Sequence, residues 1–329
     1  MRVLAADVGG TKVNLAIYDW TDGRLMCRHR QTFASQKYDS IEPILAELTA
    51  RLGGVGHLDA AAFGVAGPVA AGRARVVNLG WSIDAGALAT ALNTSAVMVI
   101  NDLEAAAFGV LTLGAADLQV LNAGVRRAAT AAVIAAGTGL GEGLLWWDGE
   151  RHRPAPSEGG HAEFAPRSDI EMDLLVFLRR RFAHVSYERV LSGAGLVNIY
   201  EFLRESGRAT EPADLAQRMQ SEDAAAIISR AALSEHIPIC VQALEMFVSI
   251  YGAEAGNLAL KVLPAGGLYV AGGIAPKIAT KMGDGTFLAA FLDKGRMRPL
   301  LETIPVDLVC AEDTPLRGAA YCALRSLGI

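Results

Sequence analysis

The chain has 329 residues, of which 52% are hydrophobic and 20% charged, so its length and apolar content favour two domains with sizeable cores. Its formal net charge of −5 gives no basic footprint for nucleic acid, and no uncharged apolar run reaches the roughly 18 residues of a membrane span. The chain meets Asp7 before a signal-peptide apolar region could form, so we expect a cytoplasmic protein. Cys27, Cys240, Cys310 and Cys322 include no C-x-x-C pair, so we expect reduced thiols and no zinc site.

The first elements predict a β-hairpin with a glycine-rich turn. Residues 3–8 form an apolar run typical of a strand, Gly9-Gly10-Thr11 interrupts it, and residues 13–19 return as a second strand before Asp22-Gly23. A hairpin turn, rather than a strand leading into a helix, therefore holds these glycines.

The same layout recurs later in the chain. Residues 131–136 predict a strand, Gly137-Thr138-Gly139 a turn, residues 143–147 a returning strand, and Asp148-Gly149 a second turn. This repeat indicates two related domains, each presenting one glycine-rich turn.

Other segments complete the predicted organisation. Further strands are expected at 60–65, 97–100, 268–271 and 306–309, and helices at 103–113, 170–182, 237–260 and 316–327. We place the domain boundary near residue 110. The small α/β domain is then 1–110, with a final helix at about 313–329 returning to it, and the large α/β domain is 111–312.

Glycine turns of this kind suit phosphate groups. Glycine lets backbone N–H groups converge on an anion, and threonine adds a hydroxyl donor. One Gly-Gly-Thr turn is equally well explained by hairpin geometry, but two such turns after apolar strands favour a nucleotide site. Gly10-Thr11-Lys12 lacks the upstream glycine of a P-loop, and Gly137-Thr138-Gly139 leads into a strand rather than the helix of a dinucleotide-binding motif.

Carboxylates stand at the ends of two predicted strands. Asp7 directly precedes the first turn, where it is either a turn-capping residue or a Mg²⁺ ligand acting through water. Asn101-Asp102 follows residues 97–100 and precedes a helix, so these residues are either a simple N-cap or, for Asp102, a base for an acceptor hydroxyl.

Glu158-Gly159-Gly160-His161 is a candidate sugar-binding segment. The Gly-Gly turn lets both side chains point into one space, and carboxylates and imidazoles make directional hydrogen bonds to hydroxyls. The alternatives are a surface loop for Glu158 and a structural role for His161.

Together these motifs resemble the bacterial glucokinase family over nearly the whole chain. Six segments match and occur in the family's order. They are Asp7-Val8-Gly9-Gly10-Thr11, Ile100-Asn101-Asp102, Ala136-Gly137-Thr138-Gly139-Leu140-Gly141, Glu158-Gly159-Gly160-His161, Glu188-Arg189-Val190-Leu191-Ser192-Gly193 and Ala271-Gly272-Gly273-Ile274. The resemblance implies an α/β, two-domain actin-like ATPase (ribonuclease H-like) fold with an interdomain cleft, and a homodimer.

The resemblance also implies roles for particular residues. Asp102 is expected to be the catalytic base toward the sugar's 6-hydroxyl, with glucose bound by Asn101, Asp102, Glu158, His161 and Glu188. ATP is expected to bind with Mg²⁺ at Asp7, Gly9, Gly10, Thr11, Gly137, Thr138, Gly139, Gly272 and Gly273. The expected reaction gives glucose 6-phosphate and ADP, the first step of glycolysis.

Three alternatives remain open at this stage. The chain could phosphorylate another hexose, such as fructose, mannose or an N-acetyl amino sugar, or act as a sugar-responsive regulator or a non-sugar ATPase. Residues 164–192 contain no cysteine, unlike the zinc motif of the related ROK kinases, and Asp7 leaves no room before it for a DNA-binding helix-turn-helix.

Overall fold

The N-terminal strands β1 (Arg2–Val8) and β2 (Lys12–Thr21) pair antiparallel around the glycine turn, as the sequence predicts. The computed structural model describes residues 1–76 and 79–329. Within them the chain separates into unit 1, Met1–Ala116 with Ala311–Ile329, and unit 2, Asp117–Cys310. Unit 1 is therefore built from both ends of the chain, and unit 2 from the segment between them.

Unit 1 contains a five-stranded sheet in the order β3-β2-β1-β4-β8 and a small three-stranded sheet. The remaining strands are β3 (Arg24–Ala34), β4 (Ala60–Val65), β5 (Val69–Ala70), β6 (Arg73–Val76), β7 (Trp81–Asp84) and β8 (Val97–Asn101). Its helices are α1 (Glu42–Arg51), α2 (Ala85–Leu92), α3 (Asp102–Val110) and α12 (Thr314–Ser326).

The parallel strands of unit 1 bring the predicted aspartates to one edge of the sheet. β1, β4 and β8 run parallel, with Asp7 opposite Gly64 and Val65 opposite Asn101. Their carboxyl ends therefore meet at the same edge, the position where open α/β sheets bind ligands. The residues of β4 are all buried, which explains its continuous apolar sequence.

Two glycines let α12 pack closely on α3. A Cβ added to Gly318 would overlap the Ala105 carbonyl oxygen, and one added to Gly109 would overlap the Thr314 carbonyl oxygen. Only glycine at both positions permits this approach of the two backbones. The C-terminal helix thus supports the helix that begins at Asp102.

Unit 2 contains a six-stranded sheet in the order β12-β11-β10-β13-β14-β9. Its strands are β9 (Leu118–Asn122), β10 (Ala131–Ala136), β11 (Leu140–Trp147), β12 (His152–Ser157), β13 (Leu268–Ala271) and β14 (Val306–Val309). Its helices are α4 (Asp169–Leu178), α5 (Gly193–Glu205), α6 (Ala213–Ser221), α7 (Ala224–Arg230), α8 (Pro238–Val262), α9 (Ala279–Met282), α10 (Thr286–Leu292) and α11 (Arg298–Glu302).

Both units repeat one strand plan. In unit 1, β1 pairs antiparallel with β2 and parallel with β4, and in unit 2, β10 pairs antiparallel with β11 and parallel with β13. The repeated layout seen in the sequence is thus a repeated sheet topology. In each unit the glycine turn leaves the strand that has a parallel neighbour.

Two predicted helices are too long at their carboxyl ends. The helix predicted over 103–113 ends at Val110, because the N–H groups of Leu111, Thr112 and Leu113 bond carbonyls three residues back. The helix predicted over 170–182 ends at Leu178, where the N–H of Arg181 likewise bonds the Leu178 carbonyl.

Among the described residues, no single helix is long and apolar enough to cross a bilayer. The segments Ala224–Glu235 and Pro238–Val262 meet that length and composition only as a pair, with a 108° bend between them.

Candidate active site

The glycine turn of unit 1 is anchored by Ser35, which is fully buried. The Ser35 hydroxyl donates to the Gly9 carbonyl at 2.8 Å, and its N–H donates to the Thr11 carbonyl at 3.1 Å. Because N–H and C=O point in opposite directions across a trans peptide, the Gly10 N–H faces away from Ser35. The turn is therefore held from one side and presents a backbone donor on the other.

Asp7 lies at the end of β1 and is half-buried. Its Oδ2 accepts a hydrogen bond from Asn14 Nδ2 at 3.0 Å, and Asn14 Oδ1 in turn accepts from the Thr32 hydroxyl at 2.8 Å. Burial raises the pKa of Asp7, while the Asn14 hydrogen bond and the Arg30 charge oppose that rise. Asn14, itself held by Thr32, thus fixes the orientation of the Asp7 carboxylate beside the turn.

Asn101 is the N-cap of α3. Its Oδ1 accepts from the Leu103 N–H at 2.8 Å, and its Nδ2 donates to the Gly67 carbonyl at 3.1 Å. A Cβ on Gly67 would lie 2.6 Å from the Arg75 carbonyl, so only glycine fits this loop. Asn101 therefore ties the loop after β4 to α3, and its amide retains one N–H for another acceptor.

Asp102 begins α3 beside this cap. Crowding by protein atoms raises the pKa of its carboxyl, the hydrogen bond from the Leu103 N–H opposes the rise, and the charge of Asp7 adds to it. The two aspartates are therefore close enough to interact electrostatically. When both are ionised they repel one another, which raises the free energy of that state. A cation between or beside them would remove that cost.

The carboxylate oxygens of Asp7 suit Mg²⁺. Carboxylates are the hard ligands that this ion prefers, and it commonly binds only one or two of them with waters and phosphate oxygens completing the shell. In the described part of the chain, no three His, Cys, Asp or Glu side chains group to hold a metal ion. Asp7 thus fits a metal brought by a nucleotide rather than an all-protein cage.

The glycine turn of unit 2 is anchored in a similar way. The Gly193 N–H donates to the Gly137 carbonyl at 2.9 Å, which by the same peptide geometry turns the Thr138 N–H to the other side. Gly193 is the first residue of the 13-residue helix α5, capped by Ser192. The positive end of a helix therefore lies beside this turn, as is typical of phosphate sites.

A second glycine pair lies next to the unit 2 turn. Gly272 has φ of 89° and a Cβ there would overlap the Ala136 backbone, so the position requires glycine. A Cβ on Gly137 would come 4.0 Å from the Gly273 nitrogen. The structure thus brings together the predicted turn at 137–139 and Gly272-Gly273.

The predicted sugar-binding residues of unit 2 lie on two paired segments. The Tyr187 N–H donates to the Ala162 carbonyl and the Phe164 N–H to the Val185 carbonyl, each at 2.9 Å. On the first segment, His161 Nε2 lies 3.7 Å from Glu158 Oε2, and both side chains are exposed. On the second segment, Glu188 accepts from the Leu140 N–H at 3.1 Å, which places its carboxylate against the glycine turn.

Several residues of these sites were missed by the sequence reasoning. Ser35 and Asn14 act through the turn and through Asp7, and nothing in their local sequence separates them from ordinary strand residues. Glu142 and Glu254 are only 2% and 0% exposed and lie in unit 2. The sequence could have indicated them, since charged residues inside apolar segments are rare unless paired.

Comparison with known proteins shows which family the chain resembles in sequence and in structure. A family model described as glucokinase matches residues 4–326. A glucokinase of Nostoc sp. strain PCC 7120 is 41% identical over 338 residues, covering 98% of this chain and 99% of the relative. The crystal structure of a glucokinase from an Antarctic psychrotroph superimposes with a TM-score of 0.84 at 30% identity, covering 98% and 99% of the two chains. A ROK-family glucokinase from Streptomyces griseus, solved with glucose and AMPPNP, has the same fold at a TM-score of 0.67 and 23% identity, covering 99% and 100%.

The chain has the actin-like ATPase fold and is a sugar kinase. On the full-length family match and the 41% identity, the chain belongs to the glucokinase family. Its activity is the ATP-dependent phosphorylation of glucose.

Proposed function

We propose that Asp102 is the general base of this reaction and takes the proton of the glucose 6-hydroxyl as that oxygen attacks the γ-phosphoryl group of ATP. The products are glucose 6-phosphate and ADP. The observation that supports this role is the position of Asp102 at the carboxyl edge of the unit 1 sheet, beside Asp7 and the Gly9–Thr11 turn.

The surroundings of Asp102 suit a base. Its raised pKa makes the carboxylate a better proton acceptor than a fully solvated one. The Leu103 N–H at 2.9 Å from Asp102 Oδ1 orients the carboxylate. Most of the rate in phosphoryl transfer comes from positioning and charge stabilisation, so this orientation matters as much as basicity.

The ATP phosphates are assigned to the two turns. In unit 1 the donors are the backbone of Gly9 and Gly10 and the Thr11 hydroxyl, and in unit 2 the turn at 137–139 lies by the start of α5. Gly272 and Gly273 are assigned to the adenosine side. Asp7 would hold Mg²⁺ through water, and the ion would neutralise phosphate charge when bound.

Glucose is assigned to Asn101 and Asp102 of unit 1 and to Glu158, His161 and Glu188 of unit 2. The exposure of Glu158 and His161 supports this assignment, because both side chains can exchange water for sugar hydroxyls without breaking a buried contact. Glu188 is bound to the unit 2 turn, so it is assigned to orienting both the sugar and that turn.

The wider setting follows from the same family membership. We propose that the protein works in the cytoplasm at the first step of glycolysis, as a homodimer.

A coupled ADP-release assay with MgATP tests the reaction. Glucose should give the highest kcat/KM in a panel with fructose, mannose and N-acetylglucosamine, and Asp102→Ala should remove glucose-dependent turnover. Turnover of another hexose above glucose would favour the alternative specificity. Normal turnover by a folded Asp102→Ala protein would show that the base is assigned wrongly.

A further inference from the structure

Two buried glutamates of unit 2 lie next to the sugar-side segments, which are the paired residues 158–164 and 185–188. Glu142 lies on β11 and Glu254 on α8, both side chains are buried, and Glu254 is near enough to raise the pKa of Glu142 by its charge and by hydrogen bonding. Among the described residues, Oε1 of each is buried without a hydrogen-bond partner. Two ionised carboxylates only accept hydrogen bonds and repel one another, so this contact requires a proton.

Glu142 supports the turn that presents Glu158. The Ser157 hydroxyl donates to the Glu142 carbonyl at 2.9 Å, and the Gly159 N–H donates to that same hydroxyl at 3.2 Å. A Cβ added to Gly159 would overlap Glu142 Oε2. Any movement of the Glu142 carboxyl toward this turn therefore displaces Gly159, the residue between Glu158 and His161.

Glu254 is linked to the segment that presents Glu188. Asn257 Nδ2 lies 2.8 Å from Glu254 Oε2 and 3.0 Å from the Tyr187 hydroxyl. Asn257 Oδ1 accepts from Lys294 Nζ at 2.7 Å, which fixes the amide orientation. Because Tyr187 directly precedes Glu188, the two glutamates are linked to both sugar-side segments. Glu142 lies against Gly159, and Glu254 reaches Tyr187 through Asn257.

We propose that Glu142 and Glu254 are positioning residues, which share one proton and thereby hold the Glu158–His161 turn and Glu188 in place for the sugar. This inference rests on the sugar-binding assignment under the proposed function. The pair touches no substrate and acts through Gly159 and Tyr187.

The charges around the pair set when the proton is lost. Burial and the neighbouring Glu254 raise the pKa of Glu142 to about 8, and Lys261 opposes the rise. Lys261 Nζ is 3.8 Å from Glu254 Oε1 and its side chain is 60% exposed, so it compensates the pair only weakly. The other titratable or charged groups near this network are Tyr187, Lys294, Arg167, Glu171 and Asp293. Above that pH two like charges face one another, and their repulsion acts on both sugar-side segments.

Glu142→Gln keeps the shape of the side chain and removes its titratable proton. The glutamine amide donates an N–H to Glu254 without titrating, so it reproduces the protonated pair at every pH. For the wild type, the KM for glucose should rise about tenfold between about pH 7 and pH 9.5, with a smaller change in kcat. Glu142→Gln should keep a flat KM over the same range.

Asp307→Asn is the matched control. Asp307 is a buried carboxylate on β14 of the same sheet, paired with Arg126 and remote in sequence from both sugar-side segments. Its loss should lower the melting temperature and leave the pH profile of KM as in the wild type. Identical KM profiles for the wild type and Glu142→Gln would overturn the proposal.

An infrared measurement tests the proton without using activity. The wild type labelled with ¹³C-glutamate should show a protonated-carboxyl C=O band at about pH 7 that disappears above about pH 9, and Glu142→Gln should lack it. No such band, or a band unchanged by the substitution, would overturn the shared proton. A wild type that shows the band, together with a Glu158→Ala variant whose KM for glucose is unchanged, would count against the sugar-binding assignment and leave the shared proton supported.

Discussion

The carboxylate of Glu188 accepts a hydrogen bond from the Leu140 N–H at 3.1 Å, which joins a predicted sugar-binding side chain to the strand that leaves the unit 2 turn. A Cβ on Gly139 would overlap Glu188 Oε2, so the turn and the carboxylate are in direct contact. A change in either one is therefore expected to affect the other.

Gly139→Ala should lower kcat/KM for glucose by about 10²-fold, because the added methyl group displaces the Glu188 carboxylate by about an ångström. Steady-state kinetics with each substrate varied in turn measure this. The matched control is Gly193→Ala, where a Cβ would meet nothing closer than 3.8 Å and the N–H to Gly137 remains. The double variant with Glu188→Ala should lose little more than either single variant, and full additivity would show that the two positions act independently.

Ser35→Ala should weaken ATP binding more than glucose binding. It removes the hydroxyl that bonds the Gly9 carbonyl and leaves that carbonyl buried without this partner, at a cost of about 1–3 kcal/mol to folding and to the geometry of the turn. Nucleotide titration by calorimetry, with urea unfolding in parallel, measures both effects. Ser326→Ala removes a comparable serine-to-carbonyl bond in α12 and should leave nucleotide affinity unchanged. Equal nucleotide affinities for wild type and Ser35→Ala would contradict the anchoring role.

Asp102→Asn should reduce kcat by about 10²–10⁴-fold while glucose still binds, because the amide keeps the shape and cannot take a proton. Since the pKa of Asp102 is raised, the acid limb of the wild-type kcat/KM profile should lie above the ordinary value of 3.8 for an aspartate. Activity should fall as the pH drops through that limb and the base becomes protonated. A profile without an acid limb above that value would contradict the environment described for Asp102.

The Glu142 pair should also make stability depend on pH. Its pKa is about 8 in the folded protein and 4.5 in the unfolded chain, so the folded state binds the extra proton between these values. The contribution of Glu142 to the free energy of unfolding should then be greatest below about pH 4.5, decrease up to about pH 8, and level off above. Glu142→Gln should lack this component, and the difference between the two urea-unfolding profiles measures it. A difference that stays constant with pH would show that Glu142 does not bind the proton.

The sequence predicted those parts of the fold and site that depend on neighbouring residues. The strands at 60–65, 131–136, 268–271 and 306–309 have the observed bounds. The first three are continuous apolar runs, which mark strands buried on both faces, and the fourth is apolar except for Asp307. β3 was missed because most of its residues are exposed and polar at the sheet edge.

Contacts between distant residues could not be read in this way. Ser35 meets Gly9 across 26 positions, and Tyr187 meets Asn257 across 70, so only the folded chain brings them together. The candidate site residues came from motifs, whereas the side chains that orient them came from tertiary packing. The role of each site residue remains a prediction that the variants above test.

The close packing of α12 on α3 has a consequence for biosynthesis. Because residues 311–329 belong to unit 1, the ribosome must make all of unit 2 before unit 1 receives its last helix. Until then the Ala105 and Thr314 backbones cannot meet their glycine partners, and the helix headed by Asp102 lacks its main support. The unit that is synthesised first is thus completed last, after all of unit 2 has been made.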